Sequence, residues 1–353
     1  MTPQERISTV LSKGIPDRVP IHDTYWETTV QRWRKEGLPP GAPPDEFFQL
    51  EMVRIEGDYS MQFPQRVEEE TARYRRYWDN NGTLRRDMQT PDGWTPQWLD
   101  FTIKTMDDWR EHRHRMAYAD SRITPSTMEA YQRALQANKF VVYSGHACFH
   151  PTWAKIGMEQ ELMAMIAEPE FITELFAAHT QLMIDIYEGM RRRGMTFDAA
   201  WFNDDLGWTV SPLISPDMYR DLVFPHHKRL CDYFAGQGLK TLLHSDGNVG
   251  PLISHFLDAG FIGLHPLESK AGLDVRNLKK QYGDRLILFG NIDVRKLAGT
   301  KEEIEEEIRT KLTSAKEGGG YIYHSDHSVP SNVSLSNYFF TLEMVKKYGK
   351  YDA

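Results

Sequence analysis

From residue 140 onward the chain alternates short apolar runs with helical stretches, and this alternation restricts the fold more than any other feature. The runs at 140–143, 196–201, 240–243, 262–265, 286–289 and 321–323 read as strands. Helical periodicity fills the intervals, notably at 158–193 with a break at Pro169, at 251–259 and at 301–316. Repeated strand–helix units predict a parallel sheet with crossover helices. With a further strand at 19–21, the number of units favours a closed (β/α)8 TIM barrel over an open sheet. Each run also leads into residues capable of chemistry: His22, His146, Asp204, His244, Glu268, Asn291 with Asp293, and His324 with Asp326. In a barrel these strand ends converge on one mouth.

The N-terminal third departs from the pattern. Residues 3–13 read as a short amphipathic helix, with Thr2 as its cap, Pro3 at the first helical position and Gly14 ending it. A proline-rich loop at 38–44 opens a region, 38–110, expected to be an irregular, partly β cap or insertion within one domain spanning 1–353. There 73–79, 82–86 and 94–98 alternate aromatic and polar residues, and Asn80-Asn81-Gly82 suits a tight hairpin turn. The arginines and tryptophans of this region serve either lid packing or contact with a bulky ligand or partner protein.

A net charge of -8 over 353 residues argues against a nucleic-acid-binding surface, and Arg191-Arg192-Arg193 reads as the solvated end of a helix. Two cysteines, Cys148 and Cys231, are too few for a disulfide framework or a cysteine-based zinc cage. No apolar stretch approaches the roughly 18 residues that span a bilayer, and the N-terminus lacks a basic region followed by an apolar core. These features predict a cytoplasmic protein with no membrane partner.

The sharpest strand end is at 240–250, where Thr241, Leu242 and Leu243 give way to His244-Ser245-Asp246-Gly247-Asn248. His244 and Asp246 are two apart and share one side, which suits a ligand or acid–base role. Of Asp204 and Asp205, one is placed to face the mouth as base or substrate anchor while the other caps the next turn. Cys148 reads as a small buried side chain rather than a nucleophile. The cluster from His22 through Tyr25 and Trp26 to Glu27 fits either a pocket wall or a surface loop with aromatic anchors. Gly318-Gly319-Gly320 lacks the lysine of a phosphate loop and reads as a turn. The candidate catalytic residues are Asp204, His146 and His22; the candidate substrate contacts are Tyr25, Trp26, Asn203 and Glu268.

Four segments together resemble the uroporphyrinogen decarboxylase-like superfamily. They are 6–20, closing in Pro-Asp-Arg-Val-Pro; 203–207 with 215–219 and Pro225; 244–248 continuing through 264–272 and 282–285 to Asn291-Ile292-Asp293; and 318–321 with the loop after it. The resemblance implies a TIM barrel, often a homodimer, with one of two chemistries: tetrapyrrole decarboxylation, or zinc-assisted methyl transfer involving a corrinoid or a thiol. The decarboxylases hold substrate carboxylates with arginines after the first strand, where this chain has Asp23 and Glu27 instead. The methyltransferase branch carries His-x-Cys and a later cysteine; here these positions read His244, Asp246 and Asp326. A His/Asp/Asp set is a complete ligand set for zinc or another divalent metal, and a harder one than thiolate. The resemblance therefore implies a demethylase that moves a methyl group from a small methoxylated donor to a corrinoid on a separate protein. No Asp-x-His-x-x-Gly corrinoid motif occurs in the chain. A decarboxylase, another metal-dependent lyase or a non-catalytic binding barrel are the alternatives.

Overall fold

The computed structural model describes residues 1–90 and 93–351. Its centre is a parallel sheet in the order β1 (Met52–Glu56), β6 (Phe140–His146), β7 (Ala199–Asn203), β8 (Lys240–His244), β9 (Gly263–His265), β10 (Ile287–Phe289) and β11 (Tyr321–Ile322). The two edges are joined through residues 20–22. Tyr323 N–H donates to Pro20 O (3.0 Å), His22 N–H to Tyr323 O (3.1 Å) and Glu51 N–H to Ile21 O (3.0 Å). The expected strand at 19–21 is thus present only as a bridge, because Pro20 has no N–H to give a ladder. Seven strands and this bridge make the TIM barrel.

Two apolar clusters divide along the sheet. Inside, Met52, Phe140, Val142, Ala199, Leu242, Ile287 and Ile322 pack with Ile7, Val10 and Leu11 of α1 (Pro3–Leu11), so the first helix closes the floor. Thr2 and Glu5 form the capping box that starts this helix. Outside, α2 (Phe149–Ile156), α3 (Pro169–Arg192), α4 (Phe224–Gly236), α5 (Lys301–Ala315) and α6 (Leu335–Tyr348) cover the sheet through the larger cluster. Among the described residues no helix is long and apolar enough to cross a membrane.

Strand β1 lies inside the 38–110 region expected to be a cap. Its inward positions carry Arg54 and Glu56, which face the polar half of the barrel, so the segment lacks the apolar run that marks a buried parallel strand. The insertion proper is the antiparallel sheet β2 (Arg66–Glu70), β3 (Tyr74–Trp78), β4 (Thr83–Thr90) and β5 (Gly93–Phe101). Its β3–β4 turn falls at Asn80-Asn81-Gly82, where Gly82 has φ +75°. Thr83 Oγ1 donates to Ala154 O (2.9 Å) and the Trp98 and Trp153 rings meet edge-on at 5.5 Å, which fastens this sheet over α2.

Histidines buried in the neutral form make the fold acid-labile. Burial first, then nearby positive charge, pushes His22 and His179 well below the usual histidine range; burial and His227 bring His226 down to about 4. Their folded values lie below the unfolded one, so their contribution is complete above about pH 6.5 and drains away as pH falls toward 4. Each such histidine adds a slope of about 1.4 kcal/mol per pH unit in that window. Urea unfolding at pH 7.5 and 5.0 is expected to show a large loss at the lower pH; equal stabilities would contradict this.

Candidate functional site

The barrel mouth is built by register. His146, Asn203, His244 and His265 are successive partners across β6, β7, β8 and β9. Residues level with one another in parallel strands share a face. The His324 ring, just past β11, lies 4.2 Å from that of His265, and His22 lies 5.6 Å from His324. Beneath them Trp201 meets His265 edge-on at 4.8 Å, with the Arg54 guanidinium 4.9 Å over the indole.

On this row sits a compact donor group. Asp205, His244 and Asp246 each present one ligand atom, all within 4.8 Å of one another. His244 Nε2 is 3.3 Å from Asp205 Oδ1 and 3.7 Å from Asp246 Oδ1, while its Nδ1 is 2.7 Å from His265 Nδ1. Asp205 reaches His150 Nδ1 (2.7 Å) and accepts from Asp246 N–H (3.2 Å). The loop holding Asp246 is fixed from two sides. Gly247 N–H donates to Glu268 Oε2 (2.8 Å), and Gly247 crosses Gly207 so closely that a Cβ on it would stand 2.4 Å from the Gly207 carbonyl carbon.

The electrostatics follow from this crowding. Burial, then the Asp205 charge, raises the Asp246 carboxyl despite His244. Burial also acts upward on Asp205, but the close His150 and His244 rings prevail and hold it well below the carboxylate range. His244 is lowered by burial and raised more by Asp246 and Asp205, ending above its usual value. Asp246 Oδ1 is buried without a hydrogen-bond partner. A buried carboxylate oxygen that accepts no hydrogen bond can take a cation, and one imidazole with two carboxylates suits zinc or another divalent ion.

The aspartate pair divides the opposite way from the catalytic expectation for Asp204. Its carboxylate is fully buried, accepting from the N–H groups of Phe149 (3.2 Å) and His150 (2.7 Å) at the start of α2 and lying 2.7 Å from His227 Nε2. His227 Nδ1 in turn meets the Tyr219 hydroxyl at 2.9 Å. Asp204 is therefore a helix cap and the anchor of a buried chain, and Asp205 faces the mouth. Cys148, Asp204 and His227 form a second compact group of donor atoms, but these hydrogen bonds already occupy the carboxylate and both imidazole nitrogens.

Asp326 stands apart from the donor group. Its two oxygens accept from Ser269 N–H and Val294 N–H, each at 3.0 Å, tying two loops together; burial pushes it up to about 6. Glu268 holds the Gly247 backbone and pairs with Lys270 (2.8 Å), so its contact is with the loop. The Tyr25 hydroxyl meets that of Tyr338 (3.2 Å) within an aromatic group with Trp33 and Phe48, behind the mouth. Trp26 is 48% exposed and stacks on His327 at 5.8 Å, at the rim. Asn203 Oδ1, His146 Nδ1 and both ring nitrogens of His22 are buried without partners. His265, His150 and Arg54 also stand at the mouth and are not among the candidates drawn from the sequence. His265 was legible as a strand end; His150 and Arg54 required the tertiary arrangement.

The site is a His/Asp donor group at the mouth of a TIM barrel, and sequence comparison places the chain in a family. The family model of uroporphyrinogen decarboxylase (URO-D) matches residues 153–348, and the chain belongs to that family. Among curated relatives, the uroporphyrinogen decarboxylase of Pseudoalteromonas atlantica is 32% identical over 151 residues, 40% of this chain and 39% of that protein. A methylcobamide:CoM methyltransferase of Methanosarcina barkeri is 37% identical over 109 residues, 30% of each chain. The matched stretches thus cover well under half of these relatives. Among solved structures, a methyltransferase from Methanosarcina mazei superposes with a TM-score of 0.66 over 99% of both chains at 17% identity, which establishes the shared fold.

Proposed function

We propose that this chain is a metal-assisted methyltransferase of the demethylase type, removing a methyl group from a small methoxylated molecule and passing it to a reduced corrinoid on a separate protein. The observation that carries this reading is the Asp205–His244–Asp246 group at the barrel mouth, where a buried Asp246 oxygen accepts no hydrogen bond. The match to a methylcobamide:CoM methyltransferase supports it. A divalent metal bound there, zinc foremost, would supply Lewis acidity toward an ether oxygen.

The chain's own residues do the rest. His244 Nε2 and the two carboxylates would hold the ion, and His265, against His244 Nδ1, fixes which nitrogen of that ring faces the carboxylates. His150 orients Asp205, and Glu268 holds the Asp246 loop through Gly247. An oxygen-and-nitrogen set without thiolate suits an oxygen leaving group better than activation of an attacking thiol. Asp23, where the decarboxylases carry arginine, is buried and accepts hydrogen bonds from Ser325, Tyr338 and Tyr323, so it offers no anchor for a substrate carboxylate.

The test is methyl transfer to cob(I)alamin from a panel of methyl ethers, followed by absorbance. Transfer is expected with at least one donor, abolished by chelation and restored by zinc. Transfer that ignores chelation, or none from any ether, would overturn the proposal.

A further inference from the structure

Beside the donor group lies a cavity that metal binding does not use. It measures about 300 Å³ and opens between the end of β1, the β3–β4 turn, α2 and α3; its walls include Glu56, Asn81, His146, His150, Lys155 and His179. His150 connects it to the mouth, since the same ring that lines the cavity lies 2.7 Å from Asp205.

The polar atoms on these walls are incompletely used. Asn81 Oδ1, His146 Nδ1 and His179 Nδ1 are buried without a partner. His179 is 1% exposed, and its Nε2 lies 2.9 Å from His146 O. A carbonyl only accepts, so Nε2 carries the proton and Nδ1 offers a lone pair to the cavity. Lys155 is 3% exposed and gives one hydrogen bond, to Pro151 O at 3.0 Å, leaving two donors for a ligand. The walls also carry the Glu56 carboxylate. An anion would meet Glu56 and the lone pair of His179, and the carboxylates of Asp79 and Asp58 already act on the Lys155 charge. A cation would meet Lys155. A hydroxyl group satisfies both kinds of wall, donating to Asn81 or His179 and accepting from Lys155.

We propose that this cavity binds the hydroxyl-bearing end of the substrate, so that the substrate class is small, uncharged, hydroxylated methyl ethers rather than methoxylated carboxylates. The placement of the methyl group rests on the methyltransferase reading; the ligand chemistry of the cavity rests on its own walls.

The test is calorimetric titration of the zinc-loaded protein with 3-methoxy-1,2-propanediol, glycerol and 3-methoxypropionate. The diol and glycerol are expected to bind, with the carboxylate weaker by about tenfold or more. Asn81→Ala and Lys155→Met are each expected to weaken diol binding by about tenfold while zinc content stays unchanged. Asn81 sits at a half-exposed turn and its Oδ1 makes no internal bond, so that variant keeps the fold if Lys155→Met does not. Tighter carboxylate binding, wild-type diol affinity in the variants, or no diol binding would overturn the assignment. Diol binding without methyl transfer to cob(I)alamin rejects the methyltransferase reading alone; transfer indifferent to Asn81 and Lys155 rejects the cavity assignment alone.

Discussion

In His244→Ala and Asp246→Ala, divalent metal is expected to leave the protein, with affinity down by more than about 100-fold, beyond the usual 10- to 100-fold cost of losing an outer partner. Each substitution removes one of three donors whose ligand atoms lie within 4.8 Å of one another. Two carboxylates alone, or one carboxylate and one imidazole, leave a divalent ion with too few protein ligands in a half-buried site. Methyl transfer is expected to fall with the metal. Asp326→Ala provides the contrast, because that carboxylate is committed to the backbone of Ser269 and Val294. Metal content by mass spectrometry is expected to be unchanged there, and loss equal to that in Asp246→Ala would return Asp326 to the site.

Asp204→Ala is expected to cost stability rather than chemistry, by about 3 kcal/mol, because several buried donors lose their acceptor at roughly 1 kcal/mol or more each. The carboxylate satisfies N–H groups at the first turn of α2 and holds His227, and all of these lie where water does not reach. Without it the helix start and the imidazole lose their acceptor together. Asp205→Ala, one residue on, is partly exposed and is expected to change stability by only about 1 kcal/mol while losing metal. Urea titration of the two variants separates the roles. A stable, metal-free Asp204→Ala protein would show that the pair had been assigned the wrong way round.

That pair marks the limit of what local sequence determines. Two adjacent aspartates after a strand announce one cap and one mouth residue, but adjacent side chains point to opposite sides, and only the position of α2 decides which is which. The parallel strands from β6 onward were legible because both faces are buried and the runs are apolar. β1 was not, because Arg54 and Glu56 occupy inward positions. His244 and Asp246 could be paired from their spacing. The third donor could not, since Asp205 and Asp326 are both loop aspartates and nothing local separates one held by backbone amides from one facing imidazoles.

X-ray absorption at the zinc edge of the loaded protein tests the central claim most directly, because the two compact donor groups differ in one element. Asp205, His244 and Asp246 supply only nitrogen and oxygen, whereas the group at Asp204 includes Cys148. The expected spectrum has nitrogen and oxygen scatterers at about 2.0–2.2 Å and no sulfur. A sulfur scatterer near 2.3 Å, or a protein that takes up no zinc, would contradict the account.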